Sequence, residues 1–183
     1  MKRLGIDARL IEQTGVGTYI QELLRYLPSY LPTNIQCFVF VPETYTGTVL
    51  SNDRYDRVAS SCRWHSLSEQ TIFLRQLNSY DLDLIHFPYF SFPVFYHRPY
   101  VLTIHDVTPL QFRTGAASTH HPAMYYLKHL AYQFVMFEGV HHAKRIITPT
   151  KSVKKDLGAI YGAEVSNKTM PIYLGIKKKS EGN

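Results

Sequence analysis

Five short apolar runs constrain this chain more than any other feature: "RLGIDA", "CFVFV", "LDLIHF", "YVLTIH" and "RIITP". Each ends in turn chemistry and gives way to a helical pattern, and that alternation predicts parallel strands joined by helical crossovers. After Gly17, residues Tyr19, Ile20, Leu23, Leu24 and Leu27 recur at spacings of three and four, which places them on one buried stripe. Similar patterns predict a helix near "SEQTIFLRQLNSY", a long one after Pro122 and another after Thr150. The expected fold class is α/β, a Rossmann-like parallel sheet sandwiched by helices. At 183 residues, one such domain is the natural reading.

Between the third and fourth runs lies "HFPYFSFPVFYHRPY", with Pro88, Pro93 and Pro99 among many aromatics. Proline withholds backbone donors and favours extended chain, so this reads as an ordered loop over the strand ends. Open α/β sheets bind ligands at that edge. A second loop, around Gly15 and Gly17, opens the first helix. A helix N-terminus preceded by small residues presents free N–H groups and a positive dipole end, a cradle for a phosphate or diphosphate. The loop departs from a dinucleotide fingerprint: several residues separate it from the first strand, and Ile20 stands where a third small residue belongs. Glu43 is the nearest acidic candidate after the second run. A nicotinamide- or nucleotide-binding oxidoreductase domain is therefore the alternative function, and a non-catalytic binding or membrane-surface module is a third.

Read together in order, "GIDARLIEQTGVGTYIQELL", "LDLIHFP", "TIHDVTPL" and "IITPTKSVKKDL" resemble the N-terminal domain of a glycosyltransferase of family 4, close to its mannosyltransferase-like members. The resemblance implies the GT-B fold, whose two Rossmann-like halves enclose a catalytic cleft. It further implies residues 1–174 as the N-terminal, acceptor-side domain and 175–183 as a linker or tail toward a C-terminal, donor-binding domain not contained here. The implied reaction is retaining and metal-independent. It moves a hexosyl group, mannosyl favoured, from a nucleotide-diphosphate sugar donor to a glycan or lipid-linked acceptor, with no cofactor. A fragment of this kind is expected to be inactive alone.

On this reading Gly15 and Gly17 bind the donor diphosphate. His105, at the end of a predicted strand, is the catalytic candidate, because a neutral imidazole both donates and accepts hydrogen bonds. Asp106 either orients His105, receives an acceptor proton, or closes a turn before Pro109. Asp7, Arg9, His86 and Tyr89 lie at or just past strand ends and are candidates for the acceptor pocket, although Asp7 alternatively ties down its loop and Tyr89 alternatively belongs to the core.

Other classes fit less well. The two cysteines, Cys37 and Cys62, form no C-x-x-C pair, which suits a reducing compartment. The N-terminus lacks the apolar run of a signal peptide, and "AMYYLKHLAYQFVMFEGV" is broken by Lys128, His129 and Glu138. A cytoplasmic protein follows, with a peripheral membrane surface as a further partner because Lys151, Lys154 and Lys155 cluster. His120–His121 and His141–His142 bracket the long helix, which at 1.5 Å per residue holds them roughly 30 Å apart, so no metal site is expected. The net charge of +6 comes without a basic-aromatic recognition motif, and nucleic acid is not an expected partner.

Overall fold

The structure, a computed structural model, describes residues 1–108 and 122–175, with side chains of the second stretch from Tyr126 onward. The elements are β1 (Lys2–Asp7), α1 (Val16–Tyr26), β2 (Ile35–Pro42), β3 (Tyr55–Ser60), α2 (Leu74–Ser79), β4 (Leu84–Phe87), β5 (Tyr100–Thr103), α3 (Pro122–His142), β6 (Arg145–Thr148), α4 (Lys151–Tyr161), α5 (Ala163–Lys168) and β7 (Thr169–Pro171). A π-helical turn, Glu69–Phe73, runs directly into α2. The seven strands form one parallel sheet in the order β3-β2-β1-β4-β5-β6-β7. The expected Rossmann-like sandwich is the fold observed.

All five apolar runs are strands, and β2 shows why such runs are apolar throughout. Cys37, Val39 and Val41 pack with Ile20 and Leu24 of α1. The alternate residues Phe38 and Phe40 pack with Phe73 and with Leu77 of α2. Successive side chains face opposite sides of the sheet, so a strand covered on both faces needs an apolar residue at every position. The strand β3, "YDRVAS", was not expected. It is an edge strand whose exposed Asp56 and Arg57 hide the pattern.

The chain order reverses where β1 pairs with β2 on one side and β4 on the other. Such a switch point leaves a crevice at the carboxyl ends of the two strands, because their crossovers depart to different sides. Asp7 ends β1 and His86 lies near the end of β4, opposite Ile6. No helix among the described residues is long and apolar enough to cross a membrane.

Candidate functional site

The loop from Ala8 to Gly15 carries the chain from β1 to α1. Ala8 N–H extends the ladder to the Phe40 carbonyl at 2.7 Å, and turns follow at Ile11 and Gln13, whose N–H groups reach Ala8 and Leu10. Gly15 is the N-cap of α1 at φ 72° and ψ −80°. That left-handed φ favours glycine, and a side chain there would point into open space.

Gly17 packs against its own entry loop. A Cβ on Gly17 would lie 2.5 Å from the Ile11 carbonyl oxygen and 3.0 Å from that of Leu10. Its N–H already reaches the Gln13 carbonyl at 3.0 Å, and that of Val16 reaches Thr14 at 2.9 Å. The missing side chain lets α1 sit against its own entry loop, which Gln21 also grips by donating to the Ile11 carbonyl at 2.9 Å. Of the two glycines, only Gly15 faces open space.

Asp7 and Arg9 are buried and paired with each other. Arg9 donates from Nε to Asp7 Oδ1 at 2.9 Å and from Nη2 to Asp7 Oδ2 at 2.7 Å. The same Nη2 donates to Glu69 Oε1 at 2.6 Å. The guanidinium also lies over the Phe73 ring, 3.6 Å from its centroid. Burial alone would push the pKa of Arg9 down, but the charges and hydrogen bonds of the two carboxylates outweigh it and raise it. Glu69 in turn is raised, mainly by burial, against the pull of Arg9 and Ser91. The Ser91 hydroxyl donates to Glu69 at 2.8–2.9 Å and accepts the His65 N–H at 3.0 Å. This buried bridge ties β1, the π-helical turn, the proline-rich loop and the loop after β3 together.

At the switch point, Tyr19 of α1 stands between two histidines, edge-on to His105 at 5.2 Å and to His86 at 6.3 Å between ring centroids. Its hydroxyl and His86 Nε2 converge on the Thr103 hydroxyl, at 3.3 and 2.7 Å. Tyr19 therefore keeps its place against the apolar cluster of α1 and also reaches the site through its hydroxyl. His86 is held neutral: burial, and then the neighbouring His105, push its pKa down to about 4. Burial also lowers His105, against the Pro88 carbonyl and Asp106, which favour its charged form.

The strand β5 ends at Thr103, and Ile104 extends the ladder through its N–H to the Ile147 carbonyl at 2.9 Å. His105 follows, half-buried, with Nε2 2.9 Å from the Pro88 carbonyl. A carbonyl only accepts, so Nε2 carries the proton, and the neutral ring keeps Nδ1 as its acceptor. The donor half of the chemistry expected of His105 is thus occupied by backbone. Asp106 is exposed, and its Oδ1 accepts the Thr108 N–H at 3.0 Å, the turn arrangement foreseen as one of its options.

Tyr89 is half-buried at the rim, its ring centroid 6.4 Å from that of His105 and 4.2 Å from that of Phe90. The structure thus gathers His105, His86 and Tyr89 with Tyr19 and Thr103, while Asp7 and Arg9 pair with Glu69 instead. Sequence reasoning missed Tyr19, Thr103, Glu69 and Ser91, whose partners lie 17 to 84 residues away. Among the described residues no group of three or more His, Cys, Asp or Glu side chains is placed to hold a metal ion. His120 and His121 lie outside the described residues.

The profile of Glycosyltransferase Family 4 matches residues 13–179. No curated protein matches the chain. Among solved structures, Anabaena Alr3699/HepE in complex with UDP and glucose has a TM-score of 0.58 at 14% identity, over 97% of this chain and 45% of its own. A glycosyltransferase from Rickettsia africae ESF-5 has a TM-score of 0.52 at 12% identity, over 96% and 44%. The lipopolysaccharide outer core galactosyltransferase WaaB, in its apo form, has 0.51 at 13%, over 98% and 47%. This chain spans less than half the length of each. At such identities the likeness establishes the fold, that of the N-terminal half of GT-B glycosyltransferases. With the profile running across nearly the whole sequence and that fold beneath it, the chain belongs to Glycosyltransferase Family 4.

Proposed function

We propose that this chain is the acceptor-side domain, residues 1–174, of a retaining, metal-independent glycosyltransferase. It passes a hexosyl group, mannosyl favoured, from a nucleotide-diphosphate sugar to a glycan or lipid-linked acceptor, and residues 175–183 lead toward the donor-binding half. The observation that carries this is the convergence of Tyr19, His86, Thr103 and His105 at the switch point of a family 4 chain. Its neighbours' lengths, roughly twice that of this chain, support the division into halves.

In this mechanism His105 Nδ1 accepts a hydroxyl of the transferring sugar while Pro88 holds the ring's other face. The bond gains strength as charge builds on the departing sugar, which is the condition for accelerating transfer. Gly15 leaves space at the N-terminus of α1, whose dipole suits the donor diphosphate. The Gly17 contribution is indirect, through the position of that helix. Tyr89 and Asp106 line the acceptor side at the rim. Exposed Lys151 and Lys155 on α4 are the cations that would meet a lipid-linked acceptor's anionic group or a membrane surface.

The test is nucleoside diphosphate release by the full-length protein from GDP-mannose and UDP-glucose, across a panel of glycan and lipid-linked acceptors. Transfer with retained anomeric configuration, undiminished by EDTA, is the expected result. An inverted product overturns the stereochemistry, loss of activity in EDTA overturns metal independence, and no release from either donor overturns the reading.

A further inference from the structure

An aromatic shelf extends from the switch point toward the β3 edge of the sheet. Tyr89 packs tilted against Phe90 with ring centroids 4.2 Å apart, both meet His65 at 5.9 and 4.9 Å, and His65 meets Trp64 edge-on at 4.9 Å. Trp64 is 40% exposed and is the chain's only tryptophan. Trp64 carries the run of rings from the candidate site out to solvent.

The loop that presents Trp64 is built for that placement. His65 adopts φ 53°, in the left-handed region, which histidine enters more readily than most side chains. Its N–H is fastened to Ser91, Ser91 to Glu69, and Glu69 to Arg9. These hydrogen bonds hold the turn at His65 from its buried side. A ring fixed in advance loses little freedom when a ligand stacks on it.

We propose that Trp64 and His65 form an extended acceptor subsite that stacks sugar rings beyond the one receiving the transferred group, so that the acceptor is an oligosaccharide chain. This rests on the glycosyltransferase reading above. The apolar C–H face of a pyranose matches an indole face, while its rim hydroxyls need neighbouring polar groups, which the exposed His65 imidazole supplies. The shelf continues without a gap through Tyr89 to His105, as a chain lying across the strand ends requires. Glu69 and Ser91 are positioning residues for it.

Trp64 is its own reporter. Titrating the protein with mannotriose, maltotriose and cellotriose should change the Trp64 emission saturably with at least one of them, and more tightly than with mannose or glucose. Trp64→Leu should weaken that trisaccharide about tenfold by calorimetry, the order of one aromatic stack. Ser91→Ala should also weaken it and lower the Trp64 emission anisotropy, with the protein still folded by its melting curve. Emission unmoved by all three trisaccharides overturns the inference. So do equal affinities for one ring and three, and a response only to phosphatidylglycerol vesicles, which would make the shelf a lipid contact. Saturable trisaccharide binding by this chain, with no nucleotide-sugar turnover by the full-length protein, would instead retain the subsite and sink the glycosyltransferase reading.

Discussion

Arg9 and Glu69 are separated by 60 residues in the chain and by 2.6 Å in space, and both are buried. The contact joins the end of β1 to the π-helical turn before α2, and through Ser91 it reaches the proline-rich loop. Removing one member of such a bridge leaves an uncompensated charge in the interior, which typically weakens a protein by about 3–5 kcal/mol. Arg9→Met, which strands both Asp7 and Glu69, should show a loss of that order in urea unfolding. Glu69→Gln, which keeps hydrogen bonds to Arg9 and Ser91, should lose clearly less. Equal and small losses would show that the bridge contributes little.

The neutral state of His86 sets a pH dependence. Its pKa lies at about 4 in the folded protein and near 6.5 when unfolded. Between those values the unfolded chain binds a proton that the folded one does not, so stability is complete above pH 6.5 and declines as pH falls toward 4. By pH 5 the share of His86 is about 2 kcal/mol, at 1.36 kcal/mol per unit. His105 and His65, also lowered, act in the same direction. Comparing urea midpoints at pH 7.5 and pH 5 should show a smaller acid loss in His86→Gln than in the unsubstituted protein. An identical loss would mean that His86 titrates normally.

The bond from His105 Nε2 to Pro88 divides the ring's two nitrogens between protein and ligand. In the full-length enzyme, His105→Ala should reduce kcat on the order of 10²-fold with a smaller effect on donor KM, as for loss of one preorganised polar group. His105→Asn, whose carboxamide oxygen falls near the Nδ1 position, should retain more activity than His105→Gln, which rebuilds the Nε2 donor instead. Steady-state kinetics with the reverse order would assign the ligand to the other nitrogen.

The two loop glycines should respond to substitution for different reasons. Gly17→Ala drives a Cβ into the Ile11 backbone and should lower stability by about 1–3 kcal/mol, as overpacking does. Gly15→Ala meets no neighbour and should lose only about 1 kcal/mol for its left-handed φ. Gly15→Val should weaken nucleotide-sugar binding beyond its effect on stability if the open space holds the diphosphate. Thermal midpoints and donor binding measured on the same variants check both, and a wild-type midpoint for Gly17→Ala would show that the helix can retreat from its loop.

Local chemistry alone determined the five core strands, helices α1 to α4 and the parallel α/β class. Turn residues and apolar periodicity act within a few residues, and strands covered on both faces are apolar throughout. It also placed His86 and His105 at the carboxyl ends of their strands, since strand ends are readable from the runs themselves. Edge strand β3 escaped because only a buried position reveals itself by being apolar, and half of its residues face water. Which polar residues meet was decided by the tertiary structure. Asp7 and Arg9 sit two apart beside the candidate crevice, and nothing near them in the chain shows that Glu69 and Phe73 will close over the guanidinium. Tyr19 fits a helical stripe equally well as core or as site, until packing of α1 over β1 brings its hydroxyl to Thr103, 84 residues on. The role of Gly17 turned on the same packing, because the space a missing Cβ leaves belongs to whichever atoms the fold brings there, and here those are the carbonyls of Leu10 and Ile11.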